Sequence, residues 1–280
     1  MQHIITTMKK IAFASITVFA ALFLVLLSCK KKNDPSPSVN NIASCYITSY
    51  SENGIKQADF FYDSQNRLSK SNWYDTLGKT VTSFGVYTYN ANSLLTNLSY
   101  YDTTNALTFY TVYTYNSDNT LATDTNYSIY NKVTSINQYD VYSYNPSKQI
   151  VQVNTYSGNP IQPFIGFILY STTTYTYNAQ GNVAEEKYYD TNGSLTEKTD
   201  YTYDNGNDFA LYTNLQLGTP EFTNKNNVLT AIAVDSTGNI VPKDSYTSAN
   251  TYNSNNYPTS IAAKFQNNTS QTLTFSYNCP

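Results

Sequence analysis

Histidine is nearly missing from this 280-residue chain, since His3 is its only copy. Beyond residue 3 the chain therefore has no Ser-His-Asp or Cys-His arrangement and no imidazole ligand for a metal. Glycine-rich phosphate loops and dinucleotide-binding fingerprints are missing as well. We expect no enzyme activity, no cofactor and no bound metal. The one catalytic alternative is a glycoside hydrolase, which needs only two facing carboxyl groups.

Charge is also scarce, because only 12% of the residues are Asp, Glu, Lys or Arg, and Arg67 is the only arginine. From Cys29 onward, after Lys9 and Lys10 are excluded, fourteen basic residues stand against nineteen acidic ones, a net charge of −5. No basic patch is visible. We therefore exclude nucleic acid as a partner.

Tyrosine, in contrast, is abundant, with 29 copies. Thirteen of them belong to a repeated token, which in most copies is two aromatic residues around Thr or Ser, followed by Asn or Asp. The second aromatic residues follow one another at intervals of 25 to 33 residues, with one interval of 49 that predicts two periods with one token lost. Such a period indicates an array of one supersecondary unit. The tokens are Phe60-Phe61-Tyr62-Asp63, Tyr87-Thr88-Tyr89-Asn90, Tyr113-Thr114-Tyr115-Asn116, Tyr142-Ser143-Tyr144-Asn145, Tyr175-Thr176-Tyr177-Asn178, Tyr201-Thr202-Tyr203-Asp204, Asn250-Thr251-Tyr252-Asn253 and Phe275-Ser276-Tyr277-Asn278.

A second repeated motif, two aromatic residues followed by Asp, lies half-way between tokens, as in Tyr100-Tyr101-Asp102 and Tyr188-Tyr189-Asp190. The module is therefore about 13 residues, one strand and one polar turn, because Tyr, Thr and Val favour strands whereas Asn, Asp and Gly favour turns. Sixteen to eighteen such strands predict an all-β antiparallel meander of tandem hairpins of about 26 residues, in a soluble closed or flattened β-barrel. We exclude a membrane-spanning barrel, because charges occupy both alternating faces of 183–189 and 195–200.

In Tyr-Thr-Tyr the two rings lie on one face of the strand. The rings are best interpreted as core residues, which would suit a structural envelope component or adhesin without a pocket. The alternative is a binding protein whose accessible rings stack on a glycan or a peptide. The candidate stacking residues are Trp73, Tyr87, Tyr89, Tyr113, Tyr115, Tyr175 and Tyr177.

Residues 1–28 have the features of a signal peptide, with Lys9 and Lys10 before an apolar run. The run ends at Leu26-Leu27-Ser28-Cys29, which resembles the lipobox of bacterial lipoproteins. The resemblance implies that Cys29 carries the lipid anchor and that the partner there is a membrane. Residues 29–41 are polar and rich in Pro and Ser, which indicates a flexible tether. The resemblance to bacterial lipoproteins further implies that Lys30, in place of Asp, after the cysteine favours the outer membrane, facing either the periplasm or the cell surface.

Residues 42–280 are expected to form one tyrosine-rich domain. Cys45 lies near its first strand and Cys279 near its end, so a disulfide in an oxidising compartment and two free thiols are both open possibilities. Residues 207–220 depart from the repeat and are compatible with one short helix.

Two segments with their turns, 61–68 and 175–183, resemble the YD repeats of Rhs proteins, with Asn often in place of Asp. A closer resemblance is to Bacteroidota lipoproteins of unknown function that have a porin-like fold. They share the lipobox, the tyrosine-rich repeats and an ending like residues 256–261 followed by Phe275-Ser276-Tyr277. The resemblance implies a barrel-like β architecture and brings no catalytic residues.

Overall fold

The protein is a closed β-barrel of sixteen antiparallel strands, which confirms the predicted all-β meander. The computed structural model describes residues 45–158, 166–209 and 224–279, and these ranges contain strands and turns but no helix. Accordingly, no helix in these ranges has the length and apolar character needed to cross a membrane. The strands are β1 (Tyr46–Glu52), β2 (Ile55–Tyr62), β3 (Leu68–Tyr74), β4 (Val81–Tyr89), β5 (Leu95–Asp102), β6 (Leu107–Tyr115), β7 (Leu121–Tyr130), β8 (Val133–Tyr144), β9 (Ile150–Gly158), β10 (Phe167–Tyr177), β11 (Val183–Tyr189), β12 (Leu195–Asn207), β13 (Asn226–Asp235), β14 (Tyr246–Tyr252), β15 (Pro258–Phe265) and β16 (Ser270–Asn278).

Each strand pairs with its neighbours in sequence, and β1 pairs with β16 to close the sheet. Each token lies at or near the end of an even-numbered strand, as Tyr113–Tyr115 does in β6. All tokens therefore lie at one end of the barrel, which we call the tyrosine end. The predicted short helix at 207–220 falls mostly outside the described residues, and Asn207 belongs to β12.

The Asn or Asp that follows a token builds the turn. The Oδ1 atom of Asp63 accepts hydrogen bonds from the backbone N–H groups of Gln65 and Arg67, at 2.8 and 2.9 Å. Asn66 then adopts a positive φ of 58°. This geometry, a turn followed by a left-handed residue and a bulge, is common in short hairpins. The same position has positive φ in the other turns of this kind, at Gly78, Ser93, Asn105, Asn119, Lys148, Gly181, Gly193, Gly238, Asn256 and Asn268.

The hydrophobic core lines the inner wall of the barrel. Because side chains alternate along a strand, the first aromatic residue of each token faces inward. At the tyrosine end these rings pack with aliphatic residues from the starts of the odd-numbered strands, and their burial is favourable by about 25 cal/mol per Å² of apolar surface. The buried members include Phe60, Leu68, Tyr87, Leu95, Tyr113, Leu121, Tyr142, Ile150, Tyr175, Val183 and Phe275.

The second aromatic residue of each token ties neighbouring strands together through its hydroxyl group. Seven of these eight tyrosines donate a hydrogen bond to a backbone carbonyl oxygen near the start of the preceding odd-numbered strand, and the eighth, Tyr252, donates to the Asp204 carboxylate. We call these contacts tyrosine latches. They join Tyr62 to Ile47, Tyr89 to Leu68, Tyr115 to Leu95, Tyr144 to Leu121, Tyr177 to Ile150, Tyr203 to Val183 and Tyr277 to Pro258.

Candidate functional site

Three of the residues predicted to stack on a ligand are buried. Tyr87, Tyr113 and Tyr175 expose 5%, 4% and 9% of their surface, so their rings are not available to a ligand. They belong to the core cluster instead. For these three residues the stacking prediction is wrong, and the core interpretation of the rings holds, because the inward face of each token is the one that the closed sheet covers.

The other candidates are also held in the inner wall. Tyr89, Tyr115 and Tyr177 are half-buried and form tyrosine latches. Trp73 donates its indole N–H to the Oγ atom of Ser71 at 3.0 Å and packs edge-on against core rings. The structure therefore brings all seven predicted residues to the inner wall, where they pack and do not form an open stacking surface.

The inner wall also carries a pair of carboxyl groups. Asp124 of β7 and Asp140 of β8 occupy paired positions and are 2% and 8% exposed. Tyr142 donates its hydroxyl to Asp124 at 2.6 Å, and Gln138 donates its side-chain amide to Asp140 at 3.0 Å. Burial raises the pKa of Asp140 above its ordinary value, and the hydrogen bonds that it shares with Thr155, Gln138 and Asp124 only partly offset this shift.

A third inner-wall acid, Glu186, lies on β11 opposite Tyr175 of β10 and Thr199 of β12. Burial raises the pKa of Glu186 to about 7, the hydrogen bond from the Tyr201 hydroxyl at 2.8 Å opposes this shift, and the charge of Glu197 adds to it. Glu185 lies on the outer wall, where Lys187 and Lys198 pair with it at 2.6 and 3.3 Å. Glu185 and Glu186 therefore lie on opposite faces of β11, as the alternation of side chains along a strand requires.

Too few of these acidic side chains lie together to bind a metal ion. Within residues 45–158, 166–209 and 224–279, no group of three or more His, Cys, Asp or Glu side chains is placed to hold a metal ion. Asp124 and Asp140 face each other as the glycosidase alternative requires. Both carboxyl groups, however, are enclosed by the inner wall. What the pair provides is a buried, hydrogen-bonded polar contact between two strands.

Six other aromatic residues form a row on the outer wall, across strands β4 to β9. Each lies three residues from an inward-facing residue of its own strand and therefore points outward, and all six are half-buried. They form three cross-strand stacked pairs with nearly parallel ring planes. We call this set the outer aromatic row: Phe84 with Tyr101 at 5.1 Å between ring centroids, Tyr110 with Tyr127 at 4.5 Å, and Tyr139 with Tyr156 at 4.7 Å.

The five tyrosines of this row differ from the inner tyrosines in their hydroxyl groups. None of the five hydroxyls hydrogen-bonds to another residue in the described part of the chain, whereas the latch tyrosines all do. Small polar residues lie between the pairs, with Ser99 opposite Tyr110 and Thr125 opposite Tyr139. Sequence reasoning missed this row, although a visible signal exists. Phe84, Tyr110 and Tyr139 each stand five residues before the second ring of a token.

A disulfide joins Cys45 and Cys279 with an Sγ–Sγ distance of 2.07 Å, across a sequence separation of 234 residues. It lies beside the seam between β1 and β16, at the tyrosine end. The predicted lipidation site Cys29, with the signal peptide 1–28 and the tether 29–41, lies outside the described residues. Lipidation stays a prediction.

Comparisons with solved structures address the fold. A porin-like protein from Bacteroides vulgatus ATCC 8482 is 12% identical, with a TM-score of 0.54 over 84% of this chain and 99% of that one. A porin-like protein from Bacteroides uniformis ATCC 8492 is also 12% identical, with a TM-score of 0.51 over 83% and 98%. The chain shares the fold of these barrels. No family model matches the chain, and no curated protein matches it.

Proposed function

We propose that this protein is a lipid-anchored envelope lipoprotein of the outer membrane with a non-catalytic binding role. Its partner is a glycan or a protein, and the binding surface is the outer aromatic row. The observation that carries the proposal is that row of three stacked aromatic pairs, whose rings are half-buried on the outer wall and whose tyrosine hydroxyls make no hydrogen bond within the described residues. Tyrosine presents a large apolar face and a polar hydroxyl at a low cost in conformational entropy, which suits recognition.

The anchor in this proposal is Cys29, and the barrel stands outside the bilayer. The outer wall supports this placement, because Lys198 bridges Glu185 and Asp200 on β11 and β12 and Lys56 pairs with Asp59 on β2. A lipid-facing wall would need a continuous apolar band in these places. Radiolabelled palmitate should enter the wild-type protein and fail to enter the Cys29→Ser variant. Equal labelling of both would remove the anchor from the proposal.

Binding is tested on the chain that starts at Asn40, which contains the whole barrel. Immobilised glycans, peptidoglycan fragments and peptides are screened with this protein and with Tyr110→Ala/Tyr127→Ala, which removes the central pair. Phe61→Ala is the matched control, because Phe61 is 45% exposed on the outer wall of β2 and lies outside the row. We expect a hit that the double variant loses and the control keeps. If none of the probes binds, the proposed binding role is wrong.

A structural envelope role is the second candidate, and the tyrosine latches favour it. They tie neighbouring strands together around the tyrosine end, and the Cys45–Cys279 disulfide adds a covalent link at the seam. A rigid spacer or adhesin needs such a wall and no pocket. This role predicts no probe binding together with a change in cell-envelope integrity when the gene is deleted.

A further inference from the structure

We infer that the ligand of the outer aromatic row is an uncharged linear polysaccharide that lies across strands β4 to β9. This inference rests on the proposed binding function and names the chemical class of its ligand.

The first argument is charge. Strands β4 to β9, which carry the row, contain only three acidic residues and no Lys or Arg. Asp124 and Asp140 face the inner wall, and Asp102 accepts hydrogen bonds from the backbone N–H groups of Thr104 and Ala106 in its turn. The outer wall of these six strands therefore carries no charged strand residue, and Tyr, Thr, Ser, Asn and Gln remain. Lys70 of β3 lies at the edge of the row, with its Nζ atom 4.7 Å from the centroid of the Phe84 ring. Apart from this contact, an anionic or cationic polymer would find no counter-charge on these strands, whereas a neutral polyhydroxylated one would find hydrogen-bonding groups and ring surface.

The second argument is closure. A peptide binds most simply to a β protein by adding a strand to a free sheet edge. Here β1 and β16 pair with each other along Tyr46–Glu52 and Leu273–Asn278, so the described sheet has no free edge. Recognition on the outer wall must therefore use side chains. Backbone pairing with a peptide is not available.

The third argument is spacing. Neighbouring strands lie about 4.8 Å apart, so successive stacked pairs are about 10 Å apart and the row extends about 25 Å. Small residues such as Ser99 and Thr125 separate the pairs and leave the wall lower between them. A regular series of raised aromatic pairs matches a ligand with a regular repeat. The row is too long for one monosaccharide to contact all three pairs.

The experiment measures affinity against chain length and charge. Calorimetry measures the binding of neutral β-glucan, mannan and xylan oligosaccharides, from disaccharide to decasaccharide. Alginate, an anionic polymer, and a peptide that forms β-strands are titrated as further probes. We expect affinity to rise with chain length until three pairs are spanned. Tyr110→Ala/Tyr127→Ala should weaken the longest ligand about tenfold or more, as loss of a central anchor does. Phe61→Ala should leave it unchanged.

Binding of alginate or the peptide through the row, with loss in the double variant, would overturn the polysaccharide assignment and leave the proposed binding function in place. Equal affinity for disaccharide and decasaccharide would also overturn it. Failure of every probe would remove the binding function itself. The length dependence is measured on the unmodified protein, so it holds even where the double variant folds poorly.

Discussion

The hydroxyl of Tyr115 lies 2.7 Å from the backbone carbonyl oxygen of Leu95 and donates a hydrogen bond to it. Tyr115 is on β6 and Leu95 is on β5, so the side chain holds adjacent hairpins together at their common end. The same contact recurs in six other repeats, and in the remaining one Tyr252 donates its hydroxyl to the Asp204 carboxylate. These hydrogen bonds explain why the second ring of the token is tyrosine, since phenylalanine would fill the space but leave the acceptor oxygen without this donor.

The Tyr115→Phe variant should lower the free energy of unfolding by about 1 kcal/mol, because a partly buried hydrogen bond is lost without a change in ring packing. Chemical denaturation measures the change. Tyr110→Phe is the control, because its hydroxyl makes no hydrogen bond within the described residues, and we expect no change there. An equal effect of the two substitutions would show that the latch does not stabilise the barrel.

Gly85 on β4 is a second test of packing. A Cβ atom at this position would lie 2.7 Å from the Oγ of Ser71 and 3.3 Å from a ring atom of Tyr100. Ser71 cannot move freely, because it hydrogen-bonds to both Tyr87 and Trp73. Gly85→Ala should therefore destabilise the protein by about 1–3 kcal/mol, as overpacking usually does.

The control for this substitution is Thr88→Ala, in the same strand but exposed on the outer wall. We expect its effect on the free energy of unfolding to stay within about 0.5 kcal/mol, as for most surface substitutions. The packing argument fails if the alanine at position 85 is tolerated as well as the one at position 88.

Glu186 predicts a pH dependence of stability. Its pKa is about 7 in the folded protein, against 4.5 as the ordinary value, and Tyr175, Thr199, Tyr201 and Glu197 face it from the adjacent strands. Between pH 4.5 and 7 the unfolded chain releases the proton first, so the free energy of unfolding should fall as pH rises, by about 3 kcal/mol in total.

Glu186→Gln should remove this part of the pH dependence, because the amide does not ionise. Denaturation is measured across the window at fixed ionic strength. Glu185→Gln is the control, because Lys187 and Lys198 lower the pKa of Glu185, and it should leave the decline in place. A wild-type profile that stays flat, or a decline that persists in Glu186→Gln, would show that this carboxyl group is not the cause.

The Cys45–Cys279 disulfide should contribute several kcal/mol, because it closes a loop of 234 residues in the unfolded chain. The double Cys45→Ser/Cys279→Ser variant is expected to lose about 2–5 kcal/mol and to show no further loss when a reductant is added. Intact-protein mass and thermal unfolding with and without reductant measure both effects. Unchanged stability in the double variant would mean that strand pairing alone secures the seam.

Much of this fold is predictable because the repeat is local. The token, its Asn or Asp and the left-handed residue that follows determine one strand and one turn, as Asp63 and Asn66 illustrate. Repetition then leads to the meander, and sixteen strands fall within the predicted range. The prediction that the 49-residue interval holds two periods with one token lost is wrong. Its two tokens lie on β12 and β14, which are consecutive even-numbered strands, so the interval is one period with extra residues between β12 and β13. Tyr252 also hydrogen-bonds to Asp204 in place of a carbonyl group.

The outer aromatic row was less predictable, for a physical reason. Alternation shows that Tyr113 and Tyr110 lie on opposite faces of β6, but it does not say which face the closed sheet encloses. Both faces carry rings in this protein, so composition gives no contrast between core and surface. Only the register of neighbouring strands shows that Tyr110 stacks on Tyr127.

The pairing of β1 with β16 has a consequence for how the barrel forms. Every other strand pair joins neighbours in sequence, whereas this pair must bring Ile47 and Tyr277 together from opposite ends of the domain. Such a long-range step carries a high entropic cost and comes late in folding. Until it occurs, two unpaired strand edges are open to other chains. A chain of this design is therefore prone to aggregate during folding until β1 and β16 pair, and under oxidising conditions the Cys45–Cys279 disulfide would then lock the closed barrel.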